Sequence, residues 1–115
     1  MTKVKTVNFI DGLHKWSGAE NQSRNHKYLS SQHRHRFVVA CLFDVTHGDR
    51  QIEIFDMQDR IEEFLNEKYK CGSTGVLDFG NMSCEMIAEV VAVKFGAYMC
   101  EVTEDGLGGG IYVRD

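Results

Sequence analysis

One segment constrains the fold more than any other: HRHRFVVACLFDV, residues 33–45. Read at the two-residue period of a strand, it puts His33, His35, Phe37, Val39, Cys41, Phe43 and Val45 on one face. Arg34, Arg36, Val38, Ala40, Leu42 and Asp44 take the other. After the first few residues both faces are largely apolar, the signature of a strand that needs cover on both sides. A chain of 115 residues has room for one domain with a modest core. Few elements are therefore left to supply that cover.

The rest of the chain predicts what those elements are. Lys3 to Ile10 reads as a first strand, and residues 17–31, polar and irregular, as a long loop of the kind that often carries function. HGDR (47–50) is a turn, and Gln51 to Phe55 is expected to continue as a paired strand. Asp56 is the expected N-cap of a first helix, with Asp59 adding negative charge in its first turn. Met57, Ile61, Phe64 and Leu65 form its apolar stripe to about Tyr69, and CGSTG (71–75) ends it. A second helix is capped by Ser83, carries Met86, Ile87, Val90, Val91 and Phe95, and stops at Gly96. Ala97 to Thr103 and Gly110 to Val113 are closing strands joined by a flexible DGLGGG (105–110). The order β-β-α-α-β-β over 1–115 predicts a single α+β domain with both helices on one face of an antiparallel sheet. Two helices cannot cover the other face, which predicts a homo-oligomer.

Charge and composition exclude whole classes. The net charge of −4, with 13 basic residues scattered among 17 acidic ones, speaks against a nucleic-acid partner. No apolar run reaches the length of a membrane span, and the N-terminal residues do not read as an export signal. Cys41, Cys71, Cys84 and Cys100 form no CxxC pair, so they are expected to be reduced thiols of a cytoplasmic protein.

The chemistry points to histidine. His33 and His35 are two apart on a strand, so their imidazoles share a face. His14 sits at the end of the first strand, where an antiparallel neighbour could bring it alongside. Three neutral imidazoles with an open position suit a catalytic or ligand-binding Zn2+, whereas structural sites are closed by four ligands. The plain alternative is two exposed histidines at a strand entrance, flanked by Arg34 and Arg36. His26 and His47 read as loop residues without a role.

Taken together, IDGLH (10–14), HRHRF (33–37), FDM (55–57), MSCEMIA (82–88), TED (103–105) and GGIY (109–112) resemble the 6-pyruvoyltetrahydropterin and 6-carboxytetrahydropterin synthase family. That family reads approximately F-x-A-A-H, H-G-H-x-[YF], D-F, P-T-[SA]-E-x-[LI]-A and E-T in the same order, and the match spans nearly the whole chain. The resemblance implies a T-fold whose subunits assemble into barrels, commonly hexamers. It implies zinc on His14, His33 and His35, and a pterin ring anchored by the carboxylate at Glu104. A carboxylate can accept two parallel hydrogen bonds from the amino and ring N–H groups of a pterin or guanine edge. Read alone, Glu104 is a solvated acid in a turn.

The acid–base residues of the family do not carry over. Where it has a proton-transferring cysteine, four residues before the first histidine of H-G-H, this chain has Leu29, followed by Ser30 and Ser31. Its Asp-His pair between the helices has no histidine counterpart in KCGSTGVLDFGN (70–81), where Cys71 and Asp78 are the candidate substitutes. Ser31 is a third candidate, though a serine hydroxyl without an activating partner is a poor base. Arg34 stands where the family keeps glycine. Two functions are thus expected. One is a divergent zinc-dependent synthase or lyase acting on a dihydroneopterin triphosphate-like substrate. The other is a non-catalytic module that captures a pterin or purine nucleotide through Glu104.

Overall fold

The computed structural model describes residues 1–72 and 74–115. Strand β1 (Lys3–His14) pairs antiparallel with β2 (His33–Asp44) along its whole length, from Lys3 opposite Asp44 to His14 opposite His33. Between them lie a short helix α1 (Ala19–Gln22) and a 3-10 turn (Lys27–Ser30). Helix α2 (Ile54–Tyr69), a two-residue strand β3 (Leu77–Asp78) and helix α3 (Cys84–Phe95) follow. Strands β4 (Met99–Glu104) and β5 (Gly108–Val113) close the chain. The sheet order is β3-β1-β2-β4-β5, antiparallel except for β3 beside β1. This is the expected α+β order with one short edge strand added, and the sheet is open within the chain.

Several boundaries differ from expectation for local reasons. Gln51–Phe55 is not a paired strand. The Gln51 side chain closes a turn by accepting from the Thr46 N–H and hydroxyl, and Ile54 already begins α2. The cap is Glu53, whose carboxylate accepts from the Asp56 N–H at 2.8 Å, so Asp56 sits inside the first turn. Ser83 caps α3 as expected, accepting from the Met86 N–H, and Gly96 ends it in the left-handed conformation. Met86 is exposed, because a cap at Ser83 turns Cys84, Ile87, Ala88, Val91 and Ala92 inward instead. Gly108 and Gly109, expected in the connection, already pair with β4, ahead of the strand expected from Gly110. Ser73, in the stretch expected to end the first helix, lies outside the described residues.

The core lies between the helices and one sheet face. Phe37, Val39, Cys41 and Phe43 of β2 meet Ile61 and Leu65 of α2 and Ile87 and Val91 of α3, all buried. Each such side chain contributes roughly 1.5–3 kcal/mol when fully buried. Cys41 and Cys100 sit opposite each other across β2 and β4 as core thiols, their sulfurs 3.4 Å apart. A reciprocal pair fastens α2 to β1: Asn8 Nδ2 donates to the Gln58 carbonyl and Gln58 Nε2 to the Val7 carbonyl, each at 3.0 Å. Among the described residues no helix is long and apolar enough to cross a membrane.

Among the described residues, helices cover β2 on one side only. Its outer face, with β1 and β5, presents Phe9 at 65% exposure and Ile111 at 54%, beside Val113 and half-buried Val38 and Leu42.

Close approach at Gly110 places the start of α3. A Cβ there would stand 2.6 Å from the Glu85 backbone nitrogen and Cβ, so only glycine lets β5 run against the first turn of the helix. Gly110→Ala should therefore cost about 1–3 kcal/mol of stability, the usual range for overpacking, as read from urea unfolding. A loss near zero would show that α3 can move aside freely.

Candidate metal centre

The β1–β2 register brings the three histidines together. His14 lies directly opposite His33, and His35 is two residues further along β2, on the same covered face. Ring centroids are 4.6 Å apart for His14 and His33, 5.3 Å for His14 and His35, and 5.0 Å for His33 and His35. One nitrogen from each ring falls within 4.8 Å of the others. The ring of Phe37 packs edge-on beneath, 5.0 Å from His14 and 5.9 Å from His35.

The other ring nitrogens are all engaged. Nδ1 of His14 meets the Met82 carbonyl at 2.9 Å, Nδ1 of His33 the Ser31 carbonyl at 2.9 Å, and Nδ1 of His35 a carboxylate oxygen of Asp105 at 2.7 Å. Carbonyls and carboxylates only accept, so each Nδ1 is placed to donate, and a neutral ring donating there carries its lone pair on Nε2. His14, 6% exposed, and His35 hold Nε2 atoms that are buried without a hydrogen-bond partner. Buried polar atoms are normally satisfied, and a metal is the partner that lone pairs converging from three imidazoles would fit.

Asp105 was not anticipated as part of the site. It occupies the turn after β4 with φ of 55°, a left-handed conformation that aspartate tolerates better than most residues. One carboxylate oxygen accepts from the Arg36 N–H at 2.9 Å while the other holds His35. The Arg36 N–H, then the His35 contact, lower its pKa from the ordinary carboxylate value. A carboxylate behind a ligating imidazole fixes the ring and raises its basicity. Asp105→Asn is expected to weaken metal affinity about 10–100-fold without unfolding the domain, measured by chelator competition. Unchanged affinity would show that the carboxylate is dispensable.

Glu104, the expected ring anchor, lies against the cluster itself. Its Oε2 is 3.0 Å from His14 Nε2 and its Oε1 3.6 Å from His35 Nε2. It also lines a cavity of about 410 Å³ that His14 and His33 border, with Trp16, Leu29 and Cys84 in its wall. Leu29 puts an apolar group against this space. Burial, with the Glu104 and Glu85 carboxylates nearby, pushes the Cys84 thiol up to about 12, so it packs as a neutral group. Ser31 contributes its carbonyl to His33. Asp78 lies in β3, accepting from the Gly80 N–H, and half-buried Cys71 follows α2; neither lines the cavity. Arg34 points to the opposite sheet face and pairs with Asp11 at 3.3 Å, so its bulk stays clear of the imidazoles.

No family model and no curated protein matches this sequence.

Proposed function

We propose that the chain holds zinc on His14, His33 and His35 and captures a pterin or purine nucleotide in the adjoining cavity. The observation that carries this reading is the convergence of three imidazoles, each tied at Nδ1 to an oxygen, on Nε2 atoms of which two are buried without a partner. Glu104 offers the cavity a carboxylate edge suited to an amino and ring N–H pair, and Trp16 a flat apolar surface. Leu29 in the cavity wall favours capture over turnover.

The second reading is a divergent synthase or lyase acting on a dihydroneopterin triphosphate-like substrate. It is favoured by a cavity that reaches His14 and His33 directly. Bound there, zinc would supply a Lewis acid for a carbonyl or hydroxyl. Zinc-loaded protein incubated with dihydroneopterin triphosphate separates the two. Retention without conversion supports capture, and turnover that vanishes in His35→Ala supports the enzyme. Neither retention nor turnover removes both.

The uncovered apolar sheet face supports assembly of a T-fold into a closed homo-oligomer, with a hexamer implied by the family resemblance. Light scattering should return a multiple of the 13.1 kDa chain, and a monomer at micromolar concentration would count against it. Four free cysteines fit a cytoplasmic setting, where thiols stay reduced.

A further inference from the structure

We propose that Glu104 is a fourth protein ligand, so that the resting centre is a three-histidine, one-carboxylate site instead of one left open by the protein. The inference rests on the metal reading above and goes beyond the role of ring anchor. In a tetrahedral zinc site with bonds of about 2.0–2.1 Å, neighbouring ligand atoms stand about 3.3 Å apart. Two different Glu104 oxygens come near that spacing, Oε2 at 3.0 Å from His14 Nε2 and Oε1 at 3.6 Å from His35 Nε2.

The contact makes little sense without a shared cation. With Nδ1 of each ring donating to an oxygen, Nε2 of the neutral ring is an acceptor, and so is the carboxylate. Two acceptors at 3.0 Å repel unless something positive lies between them. A doubly protonated imidazole could serve instead, but its Nε2–H would have to point at the carboxylate. The oxygen 3.0 Å from His14 Nε2 leaves that nitrogen without a partner in hydrogen-bonding geometry, so it stands off that direction, and the oxygen near His35 Nε2, at 3.6 Å, is beyond hydrogen-bonding distance. An ion bonded to nitrogen and oxygen alike accounts for both the proximity and the misalignment.

The backbone holds Glu104 where the role requires. It is the last residue of β4 and lies opposite Phe37, whose ring supports His14 and His35, so its side chain emerges on the imidazole face. The following residue, Asp105, holds His35 from behind. The Glu-Asp pair thus supplies one carboxylate to the ion and the next to its ligand. The carboxylate lies on the His14 and His35 side of the cluster, and only the three histidine nitrogens all fall within 4.8 Å of one another, so joining them on one ion requires Glu104 to turn toward His33. One carboxylate cannot grip the ion and a heterocycle edge together, so ring capture would draw Glu104 off the metal and open a coordination position.

Apoprotein titrated with Co2+ and Zn2+ tests this, comparing wild type, Glu104→Gln and His35→Ala, with far-UV circular dichroism reporting the fold. Wild type should show the intense visible bands of four-coordinate Co2+. Glu104→Gln should keep the fold, lose at least about tenfold in zinc affinity and give a weaker, shifted spectrum, since an amide oxygen is a poor substitute for an ionised ligand. Glu104→Asp, a carboxylate of shorter reach, should fall between the two even if the glutamine variant folds poorly. If Glu104→Gln matches wild type in affinity and spectrum while His35→Ala loses the ion, Glu104 is no ligand and the three-histidine reading stands alone. If wild type takes up neither ion, both readings fall.

Discussion

Replacing His14 with alanine is expected to reduce bound zinc from one equivalent per chain to less than about a tenth, because it removes the one nitrogen supplied by β1 and the nitrogen nearest the Glu104 carboxylate, leaving too few fixed ligands for an ion that takes four. His14 is the most buried of the three, is held from behind by the Met82 carbonyl, and is the only one contributed by β1. Its loss would leave His33 and His35 with no nitrogen from the facing strand. The effect should also appear as lost stabilisation. A ligand that binds only the folded state at 1,000 times its dissociation constant adds about 4 kcal/mol, so zinc should raise the wild-type melting temperature by several degrees. His14→Ala should melt at one temperature with or without zinc. A full equivalent of zinc retained by the variant, or a wild-type melting temperature indifferent to zinc, would remove the basis for a centre shared between the strands.

How much of this could be read from the residues depends on how local the signal is. The two-residue spacing of His33 and His35 fixes their common face wherever the strand pairs. His14 joins them only through register, and the intervening residues 15–32 carry no turn chemistry that sets it. The register is specified by burial, since a slip by one residue would turn Ile10 and His14 to the outer face along with the rest of β1. The partners behind the imidazoles were not legible, because two of them are carbonyls, of Ser31 and Met82, and any residue has a carbonyl. Asp105 had a side-chain signal, an acid beside glycine after a strand. It reads as a turn residue until the left-handed backbone shows where the carboxylate points. Glu53 and Asp56 are both acids three residues apart at a helix start, and propensity favours aspartate as the cap. The hydrogen bond runs the other way because Ile54 and Phe55, though exposed, already belong to the helix.

The largest stability effect should come from Phe37→Ala, at about 3–5 kcal/mol out of the roughly 5–15 kcal/mol that holds a domain of this kind together. Phe37 is fully buried in the strand that pairs on both sides, β1 at Ile10 and β4 at Glu104. Its ring meets Phe79 at 5.2 Å, and Gly12 and Phe79 fill the space beside it tightly: a Cβ on Gly12 would come within 3.1 Å of the Phe37 ring and 2.6 Å of Phe79. Neighbours so constrained by the β1–β2 ladder can close only part of the cavity, which puts the cost toward the upper end. The same ring supports His14 and His35, so the residue joins core packing to ligand geometry. Phe37→Leu separates the two contributions. It keeps most of the apolar volume and should cost less stability, yet it removes the aromatic ring against which the two imidazoles stand at near right angles. Zinc affinity should then fall more than stability does. Urea unfolding in the presence of chelator reads the first quantity free of metal linkage, and chelator competition reads the second. Should Phe37→Leu leave zinc affinity untouched, the imidazoles are held by Met82, Ser31 and Asp105 alone, and the core beneath them is mere filling. If affinity drops while unfolding barely shifts, the β2 strand preorganises the centre from below, and the apolar alternation that first defines the fold also sets where the ion can bind.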